Sequence, residues 1–415
     1  MTAVIDACRS ASEIAPALAH IPTDVKNRAL EDMAAALERE TTHLLAGNQS
    51  DTETALREGV SGALVDRLTL TSDRIKSMAA SLRAVADQPD PVGAVVSSWT
   101  RPNGLKIERV RVPLGVVAVI FEARPNVTAD ISALCLKSGN ACVLRGSSMA
   151  ASSNDAIVEV LRSAAIKAGV PENAIQLITS TNREAAVQLM QAKGLVDLLV
   201  PRGGAALIDS VEEHATVPYI IDGAGNCHVY VDRSADLEMA TRVIVNAKTQ
   251  RPTVCNAAET LLVHADLGTA WLQNTLDALA DRGVEIRGDE RVCELWPRAK
   301  AAGKVDWATE YLDLVLAVGI VDSAAEAMAH INRWGTSNAD AVVTQDISVA
   351  RRFAREIDTG TVFVNASTRF SDGGEFGFGA EIGISTQKLQ ARGPMGLEAL
   401  TTTKYIVWGD GQVRQ

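Results

Sequence analysis

The sequence predicts an α/β protein made of two doubly wound domains of parallel sheet and helix, with a small β element attached. Three observations carry this. Between residues 115 and 221, apolar strand, polar loop and amphipathic helix follow one another four times. The alternation resumes at residue 260 and runs to 365. A chain of 415 residues is also longer than a single core organises.

Residues 1–90 read as helices. Thr23 or Asp24 caps one whose apolar stripe is Val25, Ala29, Leu30, Met33, Ala36 and Leu37. A second is predicted as one piece from 63 to 86, stopped by the Pro- and Gly-rich stretch 87–93. From Val95 the period changes to two, in short runs around Pro102-Asn103-Gly104, a hairpin turn. So small a ribbon is marginal alone and needs something to pack on, a subunit partner being one candidate.

The continuous run Gly115–Phe121 is a buried parallel strand, followed by Glu122–Asn126 and a helix over 128–137. A strand at 141–144 leads through Arg145-Gly146-Ser147-Ser148 to a helix over 154–168. A strand at 175–178 precedes a helix over 183–193, and a strand at 195–200 enters Pro201-Arg202-Gly203-Gly204 and another helix. A fifth strand is expected at 219–221. Ligands of such sheets bind beyond the carboxyl ends of the strands, where these Gly, Ser and Arg loops fall. In the second half, strands are expected at 260–263, 314–318, 341–344 and 361–365, with helices at 269–281, 323–332 and 348–357 between them. The tail TTTKYIVWGDG alternates as a strand able to pair with the early hairpin.

Composition narrows the function classes. With 47% hydrophobic and 22% charged residues, the chain is an ordinary globular one. No apolar run reaches the roughly 18 residues that span a bilayer. The start, MTAVIDACRS, has no basic flank followed by an apolar core, so the cytoplasm is the expected compartment. The net charge of −11 argues against a nucleic-acid partner, and an anionic substrate needs a local positive pocket. The six cysteines are scattered with no CxxC pair, so neither a disulfide scaffold nor a metal site is expected.

The stretch with chemical character is Ile244–His264. It sets Cys255 in a short polar connection between a helix over 237–248 and a strand, with Pro252 forcing a turn before the thiol. Lys248 and Arg251 precede Cys255 with no acid between, surroundings that favour the nucleophilic thiolate. The competing reading is a small buried hydrophobe. Asn126 reads either as a turn residue or as an amide donating to a developing oxyanion beside the Cys255 N–H. The dinucleotide fingerprint GxGxxG is missing. Gly377-Phe378-Gly379 is followed by too little chain, and Asp222-Gly223-Ala224-Gly225 lacks its third glycine. The loop Arg145–Ser148 is either an anion site or a plain turn.

PLGVVAVIFEARPN, SGNACVLRGSS, IDGAGNCHVYVD, the cysteine stretch, GTVFVN and the late glycine-rich segment resemble the aldehyde dehydrogenase superfamily over nearly the whole chain. VNAKTQRPTVCN, VPRGGAALI and DGGEFGFGAEIGISTQKLQARGPMGL are similar to the branch of it that reduces γ-glutamyl phosphate. The resemblance implies a cofactor-binding domain of residues 1–96 and 113–225 and a catalytic domain of 226–370. It also implies a return segment, 371–399, and an oligomerisation ribbon of 97–112 with 400–415.

By similarity Cys255 is the nucleophile, Asn126 the oxyanion amide, and a Cys255 thioester the intermediate reduced by NADPH. Hydrolytic relatives carry a glutamate where Asp222 stands, and Asp222 is left without a role. Glu310 matches a glutamate at the nicotinamide ribose. NAD-preferring relatives carry a glutamate where Ser148 stands, so Arg145, Ser147 and Ser148 point to NADP(H), and Gly203 and Gly204 to its pyrophosphate. Arg251, Ser367, Thr368 and Arg369 are candidates for the substrate's carboxylate and amino group. A homo-oligomer and contact with the glutamate kinase that supplies the acyl phosphate are the expected partners. A non-phosphorylating aldehyde oxidation, a cofactor-free thiol acyl transfer and a catalytically silent scaffold are the alternatives.

Overall fold

The computed structural model describes residues 2–414. The chain forms two compact units, one of Met1–Ile221, Gly377–Gly383 and Met395–Gln415, the other of Asp222–Phe376 and Ile384–Pro394. Of residues 371–399, expected to return as one piece, 377–383 and 395–399 lie in the first unit and 371–376 and 384–394 in the second.

The first unit opens with α1 (Ala3–Leu18), α2 (Thr23–Arg39), α3 (Thr41–Arg57), α4 (Gly62–Leu68) and α5 (Ser72–Asp87). The apolar stripe of α2 is buried as its spacing requires, at Ala29, Leu30, Met33, Ala36 and Leu37. Its expected cap is not made, because the Thr23 hydroxyl donates to Asp90 instead, at 2.9 Å. The single helix expected over 63–86 is two. Buried Asn48 accepts from the Leu70 N–H at 2.7 Å and donates to the Leu68 carbonyl at 2.8 Å, removing both groups from the helical ladder. Thr71 then caps the new start through the Arg74 N–H.

β1 (Val95–Thr100) and β2 (Lys106–Pro113) pair antiparallel, turning at Gly104 in the left-handed region, φ 88°. Thr401–Trp408 pairs antiparallel along the whole of β2 and makes a three-stranded sheet. β3 (Val116–Phe121), α6 (Pro125–Lys137), β4 (Ala141–Arg145), α7 (Ala151–Lys167), β5 (Ile175–Leu177), α8 (Arg183–Met190), β6 (Leu198–Arg202) and α9 (Ala205–His214) follow. They build a parallel sheet of order β5-β4-β3-β6. All six residues of β3 are buried, as the uninterrupted apolar run demands. Tyr219–Ile221 makes only an isolated bridge, Leu199 to Tyr219, because Pro218 cannot donate and the glycine-rich stretch after Ile221 leaves the sheet.

The second unit holds β7 (Cys227–Val231), α10 (Leu237–Thr249), β8 (Ala258–His264), α11 (Thr269–Ala280), β9 (Glu285–Gly288), α12 (Glu290–Leu295), β10 (Lys300–Ala301), β11 (Val315–Val321), α13 (Ala324–Trp334), β12 (Ala339–Val343), α14 (Ile347–Glu356) and β13 (Thr361–Val364). Its strands form a seven-stranded parallel sheet, order β10-β9-β11-β8-β7-β12-β13. Strand alternation divides its core: Val229, Val231, Leu261 and Val263 face one apolar cluster, Tyr230, Leu262 and Val342 the other. β7 and β9 escape a sequence reading because Cys227, His228, Tyr230, Glu285 and Arg287 interrupt their apolar pattern.

Candidate active site

Cys255 lies in the turn between α10 and β8, partly exposed, whereas the thiols of Cys8, Cys135, Cys142 and Cys227 are buried. The turn exists because Pro252 cannot extend α10, while Ala258–His264 is wholly buried and must enter the sheet. Cys255 Sγ stands 3.9 Å from Asp222 Oδ2, and the buried Cys227 thiol donates to the Cys255 carbonyl at 3.3 Å. Gly225 lies flat against the same peptide: a Cβ there would sit 1.8 Å from the Cys255 carbonyl oxygen. No larger residue fits.

The 3-10 turn Thr368–Phe370 is tied to this loop. Thr368 Oγ1 donates to the Asn256 carbonyl at 2.7 Å, and Asn256 Nδ2 donates to the Ser371 carbonyl at 2.8 Å. Arg369 Nε donates to Gln250 Oε1 at 2.8 Å. Burial and the neighbouring Arg251 cation pull the Arg369 guanidinium below its usual pKa, while charge on Asp372, Cys255 and Cys227 acts the other way. So Ser367, Thr368, Arg369 and Arg251 gather at the Cys255 loop within one unit. Thr368 is fully buried with its hydroxyl committed, Ser367 is buried and accepts from the Arg369 N–H, and Arg251 is exposed.

The second expected cation, Lys248, does not act as the sequence suggests. It is fully buried, and its Nζ meets Glu259 Oε2 at 2.5 Å. Burial lowers the amine and pushes the Glu259 carboxyl up to about 7, against the pull of Lys248. Glu259 Oε1 accepts from the Leu312 N–H at 3.2 Å, and the Gly225 N–H faces the carboxylate of Glu310, two residues before Leu312, favouring its charged form. Burial raises the Glu310 carboxyl. Asn256, Glu259, Gly225 and Cys227 were not legible as site residues. The one available signal was an acid opening the apolar run AAETLLVH.

In the first unit Arg145 ends β4. Its Nη2 donates to the Thr181 carbonyl and, at 2.9 Å, to that of Asn182, while its Nε and Ser147 Oγ are buried without partners. Gly146 and Ser147 line a cavity of about 270 Å³ with Thr179, Thr181, Asn154 and Asp155. A Cβ on Gly146 would strike Asn154 Nδ2 at 2.1 Å. Ser148 is exposed at the start of a 3-10 turn. Gly203 and Gly204 are exposed at the start of α9, where the Gly204 N–H donates to Glu122 Oε1 at 3.2 Å. Asn126 is exposed in the first turn of α6 and donates to Asp130 Oδ2 at 3.1 Å.

The model of the aldehyde dehydrogenase family matches residues 1–292 and 307–406. The chain is 57% identical over 405 residues to the gamma-glutamyl phosphate reductase of Moorella thermoacetica, covering 98% of this chain and 97% of that one. It is 52% identical over 404 residues to the protein of the same name from Thermobifida fusca, covering 97% of each. The crystal structure of gamma-glutamyl phosphate reductase from Thermotoga maritima superimposes with a TM-score of 0.96 at 44% identity over 100% of both chains.

Proposed function

Because the chain belongs to the aldehyde dehydrogenase family, we propose that it reduces L-glutamyl 5-phosphate to L-glutamate 5-semialdehyde, a step of proline biosynthesis, with NADPH as reductant and a Cys255 thioester as intermediate. The observation that carries this is a partly exposed thiol on a clamped loop, in a chain 57% identical to a reductase of that name.

In this reading the Cys255 thiolate adds to the acyl carbon, the C–O bond to phosphate breaks, and phosphate leaves with the electron pair. The oxyanion formed on the way is assigned to the Cys255 N–H and, by the resemblance alone, to Asn126, whose amide carries a second hydrogen besides the one given to Asp130. Bound NADPH supplies the hydride that reduces the acyl group. The C–S bond then breaks, and Cys255 recovers its thiolate. Arg369 and Arg251, both at the Cys255 loop, take the substrate carboxylate, with Ser367 beside them. Thr368 serves by holding the turn. Asp222 is one methylene shorter than the base of hydrolytic relatives, which suits an enzyme whose thioester must not meet activated water.

A dinucleotide fits the first unit on three counts: the cavity beneath Gly146, the unpartnered polar atoms of Arg145 and Ser147, and the side-chain-free start of α9 at Gly203 and Gly204. Neutral Ser148 does not repel a 2′-phosphate, which favours NADP(H). Glu310 is assigned to the nicotinamide ribose. Trp99, Tyr405, Val407 and Trp408 leave apolar surface exposed on the three-stranded sheet, which supports a homo-oligomer, and sedimentation of Trp408→Glu tests it. The lability of an acyl phosphate in water favours direct handover from glutamate kinase. Co-sedimentation of the two proteins tests that handover.

The deciding assay supplies the semialdehyde and NADP⁺. Reduction of NADP⁺ that depends on added phosphate is expected, and turnover without phosphate points to aldehyde oxidation instead. A glutamyl thioester mapped to the Cys255 peptide by mass is the expected covalent species. Full activity in Cys255→Ser removes the mechanism.

A further inference from the structure

Lys248 is the last but one residue of α10 and Glu259 the second of the wholly buried β8, so their ion pair joins the two ends of the connection 250–257 that carries Cys255. Both side chains have no exposed surface. The contacts continue beyond the pair. Glu259 Oε1 takes the Leu312 N–H, and Leu312 sits in the left-handed region at φ 52°, a conformation that a branched residue keeps only when its neighbours impose it. Two residues back, the Gly225 N–H faces the Glu310 carboxylate and favours its charged form, and Gly225 lies against the Cys255 carbonyl with no room for a side chain. The path therefore returns to its start: Cys255 loop, Lys248, Glu259, the 310–312 segment, Gly225, Cys255.

We infer that Lys248 and Glu259 are positioning residues for the proposed reduction, closing a ring of contacts that fixes the Cys255 peptide and the Glu310 carboxylate together. The inference rests on the reading of Cys255 as nucleophile. Its physical basis is that a buried pair makes a poor stabiliser compared with apolar residues of the same volume, yet constrains geometry strongly. A pair kept for packing alone is replaceable by apolar side chains without loss of rate, and a pair kept for position is not.

The test is the double variant K248M/E259L, which removes both charges together, with three readouts: thermal midpoint, kcat against KM for L-glutamyl 5-phosphate, and the rate of Cys255 alkylation by iodoacetamide. Expected are a midpoint within about 5 °C of wild type, kcat lower by about tenfold or more with KM changed by less than about threefold, and an alkylation rate altered by about fivefold or more. A folded double variant with wild-type kcat and alkylation rate overturns the inference. If the double variant does not fold, the same readouts on Glu259→Gln decide, since Gln keeps an acceptor for Leu312 but loses the charge. Alkylation needs neither substrate nor cofactor. A wild-type protein that fails to reduce L-glutamyl 5-phosphate thus defeats the proposed function while leaving the positioning role open to measurement.

Discussion

Asp222 and Cys255 stand carboxylate to sulfur, Oδ2 3.9 Å from Sγ, on the two connections that enter β7 and β8. An anion this close opposes the thiolate, and at an effective dielectric of about 20 two charges about 4 Å apart interact by at most about 4 kcal/mol. Asp222→Asn is expected to move the midpoint of Cys255 alkylation by iodoacetamide down by roughly one pH unit, solvent screening taking the rest. A midpoint that stays put or rises contradicts this.

Gly225 bears on the same peptide by contact rather than charge. Its missing side chain is required, because a Cβ would overlap the Cys255 carbonyl oxygen at 1.8 Å. Gly225→Ala must displace the loop, at a cost of about 1–3 kcal/mol in stability, and kcat/KM is expected to fall by roughly a hundredfold or more. Denaturant titration and steady-state kinetics on the same preparation measure both.

Thr368→Val keeps the shape of a fully buried residue and deletes its donor to the Asn256 carbonyl. Leaving that acceptor unsatisfied costs about 1–3 kcal/mol. Thr368→Ser, which restores the hydroxyl, is expected to recover most of it. If Val and Ser behave alike in thermal melts, the hydroxyl is not what holds the turn.

His330 on α13 gives the protein an acid-sensitive element. Its ring packs edge-on against Trp307 at 5.1 Å and His228 at 5.6 Å, and its Nε2 is buried without a partner. Burial first, then charge on His228 and Arg333, lowers its pKa from 6.5 to about 4. The unfolded chain takes up this proton near 6.5 and the folded chain only near 4, so between those values the unfolded state holds more protons. Stability present at pH 7 is therefore lost as the pH falls through that window, by on the order of 2 kcal/mol after discounting partial exposure. His330→Phe is expected to show a shallower decline in melting temperature from pH 7 to pH 5 than the wild type. Parallel curves count against the assignment.

What the sequence determined by itself was local. The uninterrupted apolar run of Val116–Phe121 could only be a strand buried on both faces, and the 3.6-residue spacing of Ala29, Leu30, Met33 and Leu37 could only be one side of a helix. Pro252 put Cys255 in a turn for reasons within seven residues of it. Tertiary structure decided the partners. Asn48 broke a helix predicted to be continuous, from some twenty residues away along the chain. Asp90 took the hydroxyl meant to cap α2. Glu259 took the ammonium meant for the thiol, and Arg369, far along the chain, joined Arg251 at the Cys255 loop. Periodicity records which face of an element is buried. A charge or hydroxyl, by contrast, bonds to whatever the fold brings within about 3 Å, and that neighbour leaves no mark on the residues beside it.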